Sequence, residues 1–353
     1  VSMSALKEKL APSLELFADV ILNPTFPEED YRRLQKQQLA AIAQEKAQPV
    51  GMALRVFPGL LYGDGHAYSM PLSGSGTEES VKQIDTGELK DFHQTFFKPN
   101  NATLVVVGDV RAKEVFALAK EHFGPLKPAD IPQLKPRQEA RQYGVQRVEV
   151  KVPARVPFLV MGYKVPVLNT AENVADVYAL ELLSGLLDGG SSSRFARNLV
   201  RGSQIATSVS AGYNIYALHD SLFTLSAIPA NGTSIDDMEA AIIEQIKALQ
   251  QQPPTQDELA RVKAQVVAAS VYEQDSSFYQ AMKIGMMETV GLGWETRDEY
   301  VDRINAVTAE QVQAVAQKYF TENQLTVAEL MPQATDSRQP ADDILIPGAS
   351  GAH

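Results

Sequence analysis

The sequence predicts an α+β protein of two homologous domains, each an antiparallel sheet with helices packed on one face. Three observations carry this. Helical periodicities come in blocks instead of alternating singly with strands. The strand-like runs alternate apolar and polar residues, as in Ser221-Leu222-Phe223-Thr224-Leu225-Ser226, so one sheet face is buried and the other wet. One order of elements also occurs twice: helix, proline break, long helix, spacer, capped helix, aromatic pair, asparagine turn, apolar strand.

The first copy opens at Val1–Leu6 in mid-alternation, read as a short strand near the start of a fragment, so the lack of a visible signal peptide carries little weight. Pro12 suits the first turn of a helix. Leu14, Phe17, Ala18 and Ile21 recur at helical spacing as its buried face, and Asn23-Pro24 stops it. Pro27 opens a second helix whose first turn holds Glu28, Glu29 and Asp30, complementing the macrodipole. Thr86-x-Glu88-Leu89 leads into a helix ending at Phe96-Phe97. Asn100-Asn101 then turns the chain into Thr103–Val107, read as a buried strand that Gly108-Asp109 stops.

In the second copy, strands are expected at about 147–152, 157–165, 205–213 and 221–228. A helix follows with Ile242, Ile246 and Leu249 on one face and Ser234 and Asp237 spaced as a cap. Pro253-Pro254 breaks the chain before the capping box Thr255-x-x-Glu258 of a long helix. Thr308-x-x-Gln311 opens another helix that ends at Tyr319-Phe320, and Asn323 leads into the strand Leu325–Ala328. The polar, proline-bearing stretch from about Lys127 to Tyr143 reads as a linker. The expected organisation is a first domain over 1–130, a linker at 131–145, a second domain over 146–333 and a flexible tail at 334–353.

With 353 residues, 44% hydrophobic and 21% charged, the chain can bury two ordinary cores. A net charge of -11 argues against nucleic acid or an anionic membrane surface as partner. No cysteine is present, which removes disulfides, thiolate metal sites and a cysteine nucleophile. No apolar run approaches the ~20 residues that span a bilayer. Gly63-x-Gly65-His66 lacks the third glycine of a nucleotide loop, and there is no Gly-x-Ser-x-Gly elbow or P-loop. Trp294 reads as a packing residue. Arg194, behind Gly189-Gly190-Ser191-Ser192-Ser193, admits two readings: an anion or backbone contact at a helix start, or a structural turn capped by Ser193.

Three stretches carry a resemblance. LELFADVILNPTFPEEDYRRLQKQQLAAIAQEKAQP (residues 14–49), Tyr62-Gly63-x-x-His66-x-Tyr68 and the run from Gly189 to Val209 are similar to segments of the M16 (insulinase/pitrilysin-type) zinc metallopeptidases. The likeness extends over about residues 1–332 and implies a LuxS/MPP-like metallohydrolase fold. The zinc site of that family is an inverted His-x-x-Glu-His on one helix plus a downstream glutamate. The five histidines, His66, His93, His122, His219 and His353, include no such pair. The downstream glutamate's place falls on Ala41, and a methyl group cannot coordinate zinc. Glu45, one turn on, could substitute only if the helix register shifted by a turn.

The family also places an arginine and a tyrosine seven residues apart to contact the substrate carbonyl. Those positions hold Val200 and Thr207. Arg201 is one residue off, and Tyr213 shares the side of Thr207 only if no bulge intervenes.

The resemblance therefore implies a non-catalytic half with no metal site of its own, zinc belonging to a catalytic partner or a segment outside this chain. Such a half forms part of a closed chamber and binds unfolded peptide together with a catalytic half, in the same polypeptide or a separate subunit. Two alternatives stand beside it: a segment of an active zinc metalloendopeptidase whose His-x-x-Glu-His lies elsewhere, and a structural core-type subunit. A periplasmic location is expected, with the cytoplasm as the alternative.

Overall fold

The structure is a computed structural model and describes residues 1–63, 66–70, 76–132 and 142–333. The middle of the expected linker, the expected tail, His353 and Gly65 lie outside the described residues. In chain order the first elements are α1 (Leu10–Leu22), α2 (Glu28–Ala47), α3 (Pro49–Tyr62), α4 (Glu78–Gln83), α5 (Thr86–Phe96) and α6 (Ala112–Phe123). Then come β1 (Gln146–Pro153), β2 (Phe158–Val165), α7 (Val174–Asp188), a π-helix (Phe195–Gly202), β3 (Ala206–Gly212) and β4 (Ser221–Pro229). The series ends with α8 (Ile235–Gln251), α9 (Gln256–Glu273), α10 (Ser277–Thr289), α11 (Thr296–Ala306), α12 (Ala309–Tyr319) and β5 (Leu325–Gln333).

Two compact units result, neither contiguous in sequence. The larger holds the described residues of Lys46–Leu72, Glu139–Tyr272 and Asp298–His353. Its sheet has the order β1-β5-β2-β4-β3. β2 is buried along nearly its whole length, as its unbroken run Phe158-Leu159-Val160-Met161 requires of a strand covered on both faces. On one face Leu159, Met161, Phe223, Leu225 and Val327 form a core with α7, α8 and α12. On the other, Phe158, Val160, Ala328 and Leu330 pack under Ala53, Phe57 and Leu61 of α3. Gly162 permits that second layer: a Cβ there would stand 2.8 Å from the Phe57 ring. The expectation of helices on one face is thus corrected; β2 and β5 are apolar on both sides, and α3 covers the second.

The sheet is mixed. β2 is antiparallel to β4 and to β5, and β3 to β4, but β1 runs parallel to β5. A parallel pair needs a long crossover, and the whole of 154–324 supplies it. Arg147 of β1 fixes this pairing. Its guanidinium donates to both carboxylate oxygens of Glu239 on α8, at 2.7 and 2.8 Å, and to Glu329 of β5.

The smaller unit comprises the described residues of Val1–Glu45, Ser73–Gln138 and Glu273–Arg297. α1 packs on α6, burying Leu14, Ala18 and Val115, and Gln35 of α2 donates to Val81 O of α4 at 2.9 Å. Trp294 lies here, half-exposed, its backbone N–H donating to Glu288 Oε1. No strand occurs among its described residues. Where strands were expected at Val1–Leu6 and Thr103–Val107 the chain forms no strand, and Leu104 is exposed where burial was expected. An apolar run becomes a strand only when a neighbour receives its N–H and C=O groups. The α+β class stands, carried among the described residues by one five-stranded sheet.

The candidate metal and substrate-contact positions

Ala41 lies two turns before the end of α2 with its methyl exposed, while the adjacent Ile42 is buried. The buried position of that turn therefore belongs to isoleucine. Glu45, one turn on, is half-buried. Among the described residues no group of three His, Asp or Glu side chains converges as a metal ion would need. The residues at this place do not fit a zinc ion.

The second set of positions sits where the chain passes from α7 through the π-helix into β3. The wide turn, closed by Ser203 N–H to Asn198 O at 2.9 Å, brings Phe195, Leu199 and Val200 onto one inward face. Val200 accordingly packs on the core and offers no donor. Arg201 points outward and donates to Ser191 O. Thr207 occupies a bulge, the register of β3 against β4 shifting between Ala206 and Ser208. Its Oγ1 donates to Pro229 O at 3.3 Å. Tyr213 follows β3, half-buried beside Phe223, and its hydroxyl donates to Pro166 O. Burial pushes its phenol well above the ordinary value.

Arg194 has a partner that the linear sequence did not suggest. Its guanidinium meets Glu258 through two bonds, Nε to Oε1 at 3.2 Å and an Nη2 to Oε2 at 3.0 Å, both side chains largely buried. Glu258 also accepts from Thr255 N at 3.3 Å, as the capping box requires. Burial alone would raise the Glu258 carboxyl; the Arg194 contacts outweigh it and hold it below the usual range. Ser193 accepts from Ala196 N at 3.4 Å, a weak cap. An open cleft of about 420 Å³ lies beside this pair, lined also by Arg197, Asn198, Glu244 and Gln245. Its polar groups bond mainly to one another: Asn198 donates to Gln245 Oε1 at 2.6 Å and Arg197 to Asn198 Oδ1 at 3.2 Å.

The structure also joins Tyr62, His66, Tyr68 and His219, which no local spacing links. His66 is buried and stacks on Tyr62 with ring centroids 4.8 Å apart; His219 lies 5.8 Å from His66. Tyr68 Oη accepts from Leu218 N and His219 N at 3.1 and 3.3 Å, and Tyr62 Oη donates to Asp220 O at 3.2 Å. The Tyr-Gly-x-x-His-x-Tyr run thus clamps the end of α3 to the β3–β4 loop.

β3 ends the sheet, and α7 covers part of its free edge. Ala211 N donates to Asp188 Oδ2 at 3.2 Å, and Ser184 Oγ donates to Ala211 O at 3.4 Å. Ala211 therefore turns its main chain away from β4. Strand geometry repeats every second residue, so Val209 shares that outward orientation.

Comparison with known proteins fits this architecture. The family profile for the "Peptidase M16 inactive domain" matches residues 83–266. The chain is 27% identical over 336 residues to the zinc protease PqqE of Helicobacter pylori, covering 92% of this chain and 72% of that protein. Its fold is similar to the crystal structure of a peptidase M16 inactive domain from Pseudomonas fluorescens, with TM-score 0.82, 22% identity and coverage of 93% and 76%. It is also similar to the first half of the periplasmic protease PqqL from Escherichia coli, with TM-score 0.71, 14% identity and coverage of 93% of this chain and 71% of that one. The chain belongs to the peptidase M16 family, through its inactive domain.

Proposed function

We propose that this chain is the non-catalytic half of an M16-type zinc peptidase, which closes a chamber with a catalytic half and holds unfolded peptide within it. The observation that carries this reading is the exposed methyl of Ala41 at the ligand position, with no converging donor set among the described residues. Val200 and Thr207 support it, since neither can place a strong cationic or phenolic donor on a substrate carbonyl.

Peptide would be held by its main chain. The outward N–H and C=O of Val209 on β3 suit addition of an extended strand, which is indifferent to side-chain sequence. α7 side chains already cover Ala211, so the added strand would stop before it. Hydrolysis would reside in the partner, which supplies zinc and its activated water. No helix among the described residues is long and apolar enough to cross a membrane. A periplasmic setting belongs to the same reading, with the PqqL likeness as its support.

The test uses purified residues 1–353. Metal analysis is expected to find no stoichiometric zinc, and a fluorogenic unstructured peptide should remain uncleaved with or without chelator. Anisotropy of a labelled unstructured peptide should show saturable binding, weakened about tenfold by Val209→Pro, equivalent to ~1.4 kcal/mol. Chelator-sensitive turnover by this chain would overturn the reading.

A further inference from the structure

Asparagine followed by glycine occurs once in the chain, at Asn231-Gly232. The pair forms the tip of the turn that carries β4 into α8, outside both elements. Thr233 N–H donates to Ala230 O at 3.0 Å across this turn, and Gly232 takes φ +88°, a left-handed value that costs glycine nothing. Ala230 N–H donates to Ile205 O at 2.8 Å, and Ser234 Oγ accepts from Asp237 N–H at 3.0 Å. Both ends of the turn are therefore anchored, while Asn231 and Gly232 are exposed.

Hydrogen bonding sets this asparagine apart. Asn100, Asn173 and Asn198, for example, are each held through both amide atoms. Only Asn231, Asn305 and Asn323 have a carboxamide without a hydrogen-bond partner among the described residues. Asn305 lies in the last turn of α11, before Ala306. Asn323 precedes Gln324, whose N–H is taken by Thr321 O at 3.0 Å. Gly232 N–H has no such acceptor. A Cβ built on Gly232 would meet nothing within 4 Å, so its nitrogen is unhindered and water reaches it.

An amide nitrogen and a carboxamide carbon, both unengaged and adjacent along the chain, are the reactants for ring closure. We propose that Asn231-Gly232 is a self-modifying site, at which the folded protein converts asparagine to aspartate and isoaspartate through a succinimide. Base takes the Gly232 amide proton, and the nitrogen bonds to Asn231 Cγ. The Cγ–Nδ2 bond breaks, the departing nitrogen takes up a proton and ammonia leaves. Water then adds to either carbonyl of the ring. Attack at Cγ breaks its bond to Gly232 N and leaves aspartate. Attack at the main-chain carbonyl breaks that carbon's bond to Gly232 N and leaves isoaspartate, the chain now running through Cβ and Cγ. Water is consumed and ammonia released, with no oxidant or cofactor.

Either product adds a negative charge to a chain already at -11. Isoaspartate also lengthens the main chain between Ala230 and Thr233, so the bond that closes the turn opens. The Ser234 cap lies beyond the lengthened segment, and α8 stays in place.

The test incubates the full folded chain at neutral and at mildly alkaline pH, with peptide mapping and isoelectric focusing. The Asn231 peptide should gain the mass of –NH2 replaced by –OH, faster at the higher pH, while Asn305 and Asn323 stay unchanged. Isoaspartate, counted by enzymatic carboxyl methylation with labelled S-adenosylmethionine, should accumulate with it. Asn231→Gln should remove both signals and keep the parent's thermal midpoint, since the side chain it replaces holds nothing. A synthetic peptide of Ala227–Asp237 gives the rate without the native turn. The proposal falls if the folded chain stays unconverted, whether or not that peptide reacts. It falls if Asn231→Gln forms isoaspartate at the parent's rate, or if aspartate appears without isoaspartate, which excludes the ring. None of these readings involves zinc or peptide capture at β3.

Discussion

The two edges of the five-stranded sheet are finished by different means. β1 is charged along its length, with Arg147, Glu149 and Lys151, and is held from within by the Arg147–Glu239–Glu329 cluster. β3 reads Ala-Thr-Ser-Val-Ser-Ala-Gly, without a charge; a bulge at its start and two α7 side chains near its end restrict it. Charge discourages an added strand everywhere along an edge, whereas a bulge and a covering helix do so only where they touch. The contrast leaves the middle of β3 as the stretch suited to receive another chain.

The charged edge should fail hardest. Arg147→Ala leaves Glu239 and Glu329 buried with no cation between them. A loss of about 3 kcal/mol is expected, toward the low end for a broken buried pair because Arg147 itself reaches water. Urea denaturation followed by tyrosine circular dichroism would measure it, and a loss under about 1 kcal/mol would show that the cluster does not pin β1.

The covered edge should yield less. Asp188→Ala takes the acceptor from Ala211 N–H and should cost about 1 kcal/mol. Asp188→Asn keeps an acceptor and removes the titration. Burial raises the Asp188 carboxyl, partly opposed by the Ala211 bond. The folded state therefore favours the protonated form. That contribution is fully present below the unfolded value of ~3.9 and is lost as pH climbs through the raised folded value. The stability of Asp188→Asn relative to the parent chain should thus rise with pH from about 4 and then level off. A flat difference would place Asp188 in water.

The smallest change in stability is expected from Lys151→Val, whose ion pair with Glu149 is open to solvent. The urea midpoint should stay where it is. Aggregation on concentration, followed by light scattering, should increase, because the substitution gives β1 the uncharged character of β3.

How far the sequence could be read follows the same division between local and distant causes. The strands β2 and β4, the Ser234 and Thr308 caps and the Thr255–Glu258 box were legible because each is decided within a few residues. The parallel register of β1 on β5 joins Gln146 to Thr326, and nothing near either residue announces it. Thr103–Val107 misled for the converse reason: its composition is that of a strand, but pairing depends on a neighbour its own residues cannot specify. Among the site positions, the reading of Ala41 rests on resemblance alone. The inward turn of Val200 depends on a π-helix, and the Arg194–Glu258 pair and the His66–His219 contact depend on chain separations that no motif spans.

The solitary indole gives the two units separate optical signals. Trp294 belongs to the smaller unit, while the buried tyrosines Tyr163, Tyr178 and Tyr300 belong to the larger. Emission excited at the red edge of the absorption band therefore watches one unit and is blind to the other. A melting experiment on this protein that records only that emission would miss the collapse of its sheet.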